Sequence, residues 1–111
     1  MSVVAVVQGQ LDAYNAQDIE AVVSHFTDGI TVSDLNAAPN LTGLDACRER
    51  HIGLFAQHPR NRAELVSRTV IGSTVIDHER GYRSPNATPF EVAAINTFAG
   101  DKIARVDFVK A

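Results

Sequence analysis

The sequence predicts an α+β protein with a mostly antiparallel sheet, and three observations support this fold class. Segments with helical periodicity dominate the first half of the chain, whereas β-rich segments follow one another in the second half. Short turns separate these later segments, which favours antiparallel neighbours over the helical crossovers of a doubly wound fold. The chain has 111 residues, enough for one buried core. We therefore expect residues 1–111 to form a single domain.

Three segments have the apolar spacing of amphipathic helices. They cover residues 2–15, Ile19–Phe26 and Gly43–Gln57. Ser2 and Asp18 are the expected N-caps of the first two, because their side-chain oxygens accept from free backbone N–H groups. Gly29 is expected to end the second helix in a left-handed conformation. Pro59 ends the third helix, because it disfavours helical geometry in the residue before it.

Five segments are predicted as strands from alternation and β-rich composition. They cover Ile30–Asp34, Arg62–Ile71, Thr74–Tyr82, Pro89–Phe98 and Ile103–Val109. Leu35–Thr42 is expected to be a loop, and Gly72 and Gly100 lie in tight turns. The predicted order of elements is therefore α-α-β-α-β-β-β-β.

Composition and charge exclude several classes of function. The net charge is −3 and the basic residues are scattered, so no nucleic-acid partner is expected. The apolar run Val3–Val7 is too short for a signal peptide or a membrane span, so we expect a cytoplasmic protein without membrane contact. Cys47 is the only cysteine, and we interpret it as a small buried residue rather than a nucleophile. The histidine spacing matches no metal motif and no phosphate-binding loop is present, so no cofactor or metal is expected.

Four stretches at the joints of these elements carry a resemblance to a known superfamily. They are Asp12–Ile19, Phe26–Val32, Leu41–Ala46 and Gly100–Val106. In this order they resemble the nuclear transport factor 2-like superfamily, which includes SnoaL-like proteins and ketosteroid isomerases. The resemblance implies a cone-shaped barrel, in which a strongly curved sheet wraps around the helices and encloses a hydrophobic cavity. It also implies a homodimer through the outer face of the sheet and a small hydrophobic molecule as ligand. Superfamily members differ widely in activity, so fold alone does not determine function.

Asp34 is the first candidate catalytic residue. It follows the first predicted strand, where the resemblance to ketosteroid isomerases implies the aspartate that moves a proton between carbons. Abstracting a proton next to a carbonyl requires a base held in a water-poor pocket. The alternative is that Asp34 only initiates the turn into the following loop.

The isomerase resemblance also implies two donors that stabilise a developing oxyanion. The tyrosine position of the family falls on Gln10, and the protonated aspartate position falls on Asn96. Both amides can donate hydrogen bonds, but neither is an acid-type donor. Tyr14 lies one helical turn beyond Gln10 and is expected to reach the same cavity. The alternative for Asn96 is a buried polar residue whose hydrogen bonds are satisfied within the protein.

The strand segment around His78 carries a second candidate site. On a strand, Ile76, His78, Arg80 and Tyr82 share one face. If this face lines the cavity, His78 and Asp34 form a proton-transfer dyad. If it points outward, these residues form a solvated or dimer-facing stripe.

Resemblance to the epoxide hydrolase branch of the superfamily is partial. Arg80 occupies the place of the cavity arginine in that branch, but Tyr82 and Phe108 stand where it has aspartates. This departure disfavours that activity and makes Arg80, Tyr82 and Phe108 candidate substrate-binding residues. Phe55, on the apolar side of the third helix, is a further candidate, whereas Asp107 is expected to face away from the cavity.

Two functions remain open from the sequence. The first is an isomerase- or cyclase-type enzyme that uses Asp34 as general base on a small apolar carbonyl or polyketide-like compound. The second is a non-catalytic module that binds a hydrophobic ligand or serves as a dimeric scaffold. The departures at Gln10 and Asn96 favour the second function, and the carboxylate at position 34 favours the first.

Overall fold

The computed structural model describes residues 2–111 and confirms the predicted α+β class. Its helices are α1 (Val3–Ala16), α2 (Ile19–Val23) and α3 (Leu44–Gln57). Its strands are β1 (Phe26–Asp34), β2 (Leu41–Thr42), β3 (Arg62–Ile71), β4 (Thr74–Tyr82), β5 (Phe90–Ala99) and β6 (Lys102–Lys110).

The helix starts follow the predicted capping chemistry. Ser2 Oγ accepts a hydrogen bond from the Ala5 N–H at 3.1 Å, and Asp18 Oδ1 accepts one from the Ala21 N–H at 3.1 Å. α1 ends at Gln17, which takes a left-handed conformation with φ 57°. Between residues 2 and 111, no helix has both the length and the apolar character needed to cross a membrane.

All six strands form one sheet in the order β2-β1-β6-β5-β4-β3. β1 and β6 run parallel, and the other neighbouring strands run antiparallel. The sheet curls around the helices without closing, so that β2 and β3 are its edges. This architecture agrees with the predicted cone. Gly72 and Gly100 have φ of 57° and 61° in the two tight turns, as glycine permits at little cost.

The boundary between α2 and β1 differs from the prediction. α2 ends at Val23, and β1 begins at Phe26 instead of at Ile30. Phe26 pairs with Ile103 of β6, and the register then shifts before Thr31. The predicted helix stop is therefore an irregular stretch of strand, and Gly29 has no positive φ. Local pattern missed this because the apolar Phe26 fits both a helix face and a strand pairing.

β2 was also missing from the sequence prediction. Its two residues, Leu41 and Thr42, pair with Val32 and Thr31 of β1. Two residues are too few for alternation to be visible, and the preceding Pro39 indicates a loop. The pairing comes from tertiary structure, which holds this segment along the free edge of β1.

An apolar cluster fills the space between the helices and one end of the sheet. It includes Val6, Val7, Val22, Ile30, Val75 and Ile103, each at most 3% exposed. Burial of these side chains supplies the main driving force for folding. It also anchors the strands whose inward residues, farther along, form the cavity described next.

Candidate functional site

A cavity of about 410 Å³ lies between the helices and the concave face of the sheet. Residues of α1 and α3 form one wall, and inward residues of β1, β4, β5 and β6 form the other. The apolar part of the lining includes Leu11, Phe26, Val32, Leu54, Val92 and Val106. This volume falls in the range of small-molecule sites.

Strand β4 points its odd-numbered residues inward. Val75 and Asp77 are fully buried, and Glu79 and Gly81 line the cavity. Because side chains alternate along a strand, His78 and its alternate neighbours point to the outer face. Of the two predicted orientations of the His78 face, the structure therefore has the outward one.

Because the even-numbered residues of β4 point outward, the predicted cavity positions of His78, Arg80 and Tyr82 are wrong. On the outer face, Arg80 Nε lies 3.1 Å from Glu91 Oε1 and His78 Nε2 lies 3.5 Å from Glu91 Oε2. None of the three lines the cavity. A dyad between His78 and Asp34 is not formed, and Arg80 is not placed like a cavity arginine.

The buried carboxylate of Asp77 on this inner face is compensated by the neighbouring strand. Arg68, on the neighbouring strand β3, donates to Asp77 Oδ1 from Nε at 2.7 Å and to Oδ2 from Nη2 at 2.9 Å. Arg68 Nη1 also donates to Gln8 Oε1 of α1 at 3.0 Å. The bidentate geometry compensates the charge of Asp77, whose side chain is 0% exposed. This interaction is non-local, so the pattern of β4 alone cannot reveal it.

Glu79 is the carboxylate that lines the cavity. Within residues 2–111, no hydrogen-bond or ion-pair partner contacts its side chain. Burial and, to a lesser extent, the negative charge of Asp77 raise the pKa of Glu79 to about 7, although the charge of Arg68 acts in the opposite direction. A group with this pKa accepts and releases protons near neutral pH, as a general acid–base residue must.

Asp34 lies at the rim of the cavity. By alternation it shares the face of the cavity residue Val32, but it does not line the cavity and its side chain is 57% exposed. Asp34 Oδ1 lies 3.2 Å from Nζ of Lys110, and its carbonyl accepts from the Ala37 N–H at 3.0 Å. The hydrogen bond from Ala37 fits the alternative interpretation, in which Asp34 initiates the turn after β1. The role of Asp34 as general base stays a prediction, in a setting more hydrated than the chemistry favours.

The two amides at the family's oxyanion positions both line the cavity. Asn96 is 5% exposed, and its Nδ2 donates to the carbonyls of Val75 at 3.3 Å and Ala94 at 3.4 Å. Both amide hydrogens are therefore directed to the backbone, which favours a structural role. Gln10 makes no side-chain hydrogen bond to any residue from 2 to 111, so its amide can contact a ligand.

Tyr14 lines the cavity, and its hydroxyl belongs to a chain of hydrogen bonds. Arg83 Nη1 donates to Asn61 Oδ1 at 2.8 Å, and Asn61 Nδ2 donates to the Tyr14 hydroxyl at 2.7 Å. A guanidinium can only donate, so Arg83 fixes the orientation of the Asn61 amide. The Tyr14 oxygen therefore accepts, and its own hydrogen has no acceptor in the part of the chain described.

The two predicted substrate-binding phenylalanines lie in different places relative to the cavity. Phe108 lines the cavity as predicted. The prediction for Phe55 is corrected, because this residue is buried behind the wall, with its ring 5.5 Å from that of Tyr14 and 5.8 Å from that of His51.

His51 Nδ1 donates to the Cys47 carbonyl at 2.8 Å, and burial lowers the pKa of His51, so the ring is neutral. Burial raises the pKa of the Cys47 thiol, which agrees with an unreactive wall residue.

Sequence reasoning missed Glu79, Asn61 and Arg83 as site residues. One signal for Glu79 was present: Gly81 shares its strand face, and a glycine inside a strand often marks a close approach. The Phe90 ring lies against Gly81 here, so that a Cβ at Gly81 would meet two ring carbons at 2.6 Å. Asn61 and Arg83 lie outside the strands, and no local signal indicated that they would meet Tyr14.

Comparisons with known proteins agree with this architecture. An uncharacterised cystatin-fold protein from Novosphingobium aromaticivorans is 32% identical, with a TM-score of 0.91 over 98% of both chains. A SnoaL-like protein of unknown function from Burkholderia thailandensis is 19% identical, with a TM-score of 0.83 over 98% of this chain and 93% of the other. A putative polyketide cyclase from Sinorhizobium meliloti is 20% identical, with a TM-score of 0.80 over 98% and 100%. No curated protein matches this chain.

Fold and site together define a small α+β protein whose curled sheet and helices enclose a cavity. The model of the SnoaL-like domain matches residues 7–106. The chain therefore belongs to the SnoaL-like family, and the predicted resemblance is confirmed.

Proposed function

We propose that this protein is an acid–base enzyme of the isomerase or cyclase type, acting on a small, largely apolar carbonyl compound. The observation that carries the proposal is the position of Glu79, a carboxylate with no partner among residues 2–111, in the wall of a cavity of about 410 Å³. The mainly apolar neighbours in the wall favour an apolar or polyketide-like substrate. The likeness to a putative polyketide cyclase supports the same class.

Glu79 is proposed as the group that moves the proton. Its carboxylate takes a proton from the carbon next to the substrate carbonyl and returns it to another position. Because burial and the charge of Asp77 raise the pKa of Glu79 to about 7, the deprotonated form is a stronger base than an exposed glutamate and still exists at neutral pH.

Tyr14 is proposed as the donor to the substrate carbonyl oxygen, on which negative charge develops. Its hydroxyl accepts from Asn61 at 2.7 Å, so the phenol hydrogen is free to donate to the ligand. Donation from Arg83 through Asn61 polarises the hydroxyl and strengthens it as a donor. Preorganised donors of this kind stabilise an enolate-like transition state.

The test is deuterium exchange at the carbon next to the carbonyl, because it requires no knowledge of the natural substrate. A panel of aryl and alicyclic ketones small enough for the cavity is incubated with the protein in D₂O and followed by proton NMR. We expect Glu79→Gln to lower the enzyme-dependent exchange rate by about 10²–10⁴-fold. Asp34→Asn is the matched control, because it removes the rim carboxylate by the same isosteric change.

The two variants can show that Glu79 is not the base, and the ketone panel can contradict the enzymatic proposal itself. If Asp34→Asn abolishes exchange while Glu79→Gln does not, Asp34 is the base that the sequence predicted. If no ketone exchanges faster with wild-type protein than in buffer, yet ketones bind, the protein is a ligand-binding module and the enzymatic proposal is wrong.

A further inference from the structure

The charged residues of the cavity lining are unequal in sign. Three cationic side chains, Arg50, Arg83 and Lys110, line the cavity together with one carboxylate, Glu79. His51, also in the lining, is kept neutral by burial. The cavity is therefore an apolar space with an excess of positive charge in its wall.

Two of these cations have no carboxylate partner within residues 2–111. Lys110 Nζ lies 3.2 Å from Asp34 Oδ1. Arg50 instead donates to Asn40 Oδ1 at 2.9 Å and to the Asn40 carbonyl at 3.0 Å. Arg83 donates to Asn61 Oδ1 at 2.8 Å. Both arginines are oriented by neutral oxygens, and Arg83 is the less exposed of the two, so Arg83 is the better placed to pair with a ligand anion.

Four other arginines form ion pairs with acidic side chains. They are Arg48, Arg68, Arg80 and Arg105. Arg83 differs because it lines a cavity and is held in place without being neutralised. Its guanidinium lies 4.6 Å from the centre of the Phe90 ring, and its Nε and Nη2 donate to no residue described. Such a preoriented fork matches the two oxygens of a carboxylate.

We infer that the ligand of this cavity is an amphipathic carboxylate, whose apolar body occupies the cavity and whose carboxylate pairs with Arg83. The inference rests on the proposed function only in taking the cavity wall around Glu79 as the ligand site. Arg50 also lines the cavity and adds positive charge to its wall. The carboxylate is distinct from the reacting carbonyl group.

The position of Arg83 relative to Glu79 orients this ligand. Glu79 and Gly81 are successive inward residues of β4, about 7 Å apart along the strand, and Arg83 follows just beyond its end. Arg68 and Asp77 lie on the opposite side of Glu79, toward the apolar core. The ligand therefore places its apolar, reacting part beside Glu79 and its carboxylate at the end of the cavity farther from the apolar core.

The test compares naphthalene-2-acetate with its uncharged primary amide, two probes of nearly the same shape. Both dissociation constants are measured by isothermal titration calorimetry at about pH 6, where Glu79 is mostly protonated. We expect the acid to bind wild-type protein at least about tenfold more tightly than the amide. Arg83→Gln is expected to reduce this ratio to near one, and Arg50→Gln to reduce it partly.

Arg62→Gln is the matched control for nonspecific charge. Arg62 is exposed and stacks at 4.1 Å on the ring of Tyr82, on the outer face of the sheet. Its loss changes the net charge equally, and the preference for the acid should remain. Equal binding of acid and amide by wild-type protein, no binding of the acid, or a preference unchanged in Arg83→Gln would overturn the inference.

Glu79→Gln separates this inference from the proposed function. Its preference for the acid should persist, because the substitution leaves Arg83 and Arg50 in place. Acid preference without Glu79-dependent deuterium exchange contradicts the enzymatic proposal alone. Glu79-dependent exchange of neutral ketones without acid preference contradicts the carboxylate ligand alone.

Discussion

Asp77 and Glu79 occupy successive inward positions of β4, yet only Asp77 forms an ion pair with an arginine. Both oxygens of Asp77 accept from Arg68, at 2.7 and 2.9 Å, whereas Glu79 has no partner within residues 2–111. Burial raises the pKa of the unpaired Glu79, and the negative charge of Asp77 adds to this effect. One strand thus carries a structural carboxylate and a carboxylate poised for proton transfer.

Asp77→Asn is expected to destabilise the protein by about 3 kcal/mol, because it leaves the charge of Arg68 buried without compensation. Urea denaturation measures this loss. Asp107→Asn is the control, since Asp107 has similar bidentate contacts, to Arg105 at 2.9 and 3.0 Å, but Arg105 is 46% exposed. The control should cost about 1 kcal/mol or less. Equal losses would contradict the structural importance of burial at Arg68.

The same variant should change the titration of Glu79. Removing the negative charge of Asp77 lowers the pKa of Glu79, and the charge of Arg68, no longer compensated, lowers it further. The pH profile of deuterium exchange should therefore move toward lower pH in Asp77→Asn. An unmoved profile in a folded variant would show that Glu79 does not govern the exchange.

Glu79 should also make stability depend on pH. Its pKa is raised from 4.5 to about 7 on folding, so the folded protein binds more protons than the unfolded chain between these values. Stability contributed by the protonated group is complete below pH 4.5 and is lost as the pH rises through about 7. Relative to wild type, Glu79→Gln should gain on the order of 3 kcal/mol between these limits. Denaturation midpoints at both limits measure this, and a constant difference would contradict it.

Tyr14→Phe is expected to lower kcat about 10²–10³-fold with a smaller effect on KM, because the lost hydroxyl stabilises charge only as it develops. The substitution also leaves Asn61 Nδ2 without its acceptor, which should cost about 1–3 kcal/mol of stability. Steady-state exchange kinetics and thermal denaturation separate the two effects. A variant with lowered stability and unchanged kcat would assign Tyr14 a purely structural role.

Much of the fold follows from local signals in the sequence. The caps Ser2 and Asp18 use short-range chemistry, and the turn glycines use backbone freedom, so these boundaries were predictable. The start of β1 was not, because Phe26 is chosen by its pairing with Ile103, more than seventy positions away. Pairings of that kind depend on the assembled sheet.

The site was less predictable for a related reason. Both faces of β4 carry charged side chains, so alternation shows which residues share a face but not which face is inside. Arg68 compensates Asp77 on the inner face, and Glu79 shares that face and lines the cavity. Family likeness directed attention to Asp34, and strand alternation directed it to His78, but this chain places Asp34 at the rim of the cavity and His78 outside it.

The homodimer implied by the family stays a prediction, and the outer face of the sheet offers a test. Ile76 and Ile95 are directly paired on this face, and Val109 of β6 is 43% exposed. We expect sedimentation to show a dimer that Ile95→Arg converts to monomer. Val4→Arg, on an exposed position of α1, should leave the dimer intact. A monomeric wild-type protein would contradict the expectation.

The contact between Gly81 and Phe90 should couple the two positions energetically. A Cβ at Gly81 would lie 2.6 Å from two carbons of the Phe90 ring, too close for both to keep their places. Gly81→Ala should therefore displace the ring and cost about 1–3 kcal/mol in wild-type protein. In a Phe90→Ala background the same substitution should cost little, because the obstacle is gone. Urea denaturation of the four proteins gives the coupling energy.

The displaced ring should also affect the ligand site. Phe90 lines the cavity and stacks under Arg83, so its displacement removes the surface that holds the guanidinium in place. Gly81→Ala should accordingly weaken binding of naphthalene-2-acetate more than binding of its amide. Additive costs in the double-mutant cycle would show that the ring does not block position 81, and equal weakening of both probes would show that it does not orient Arg83.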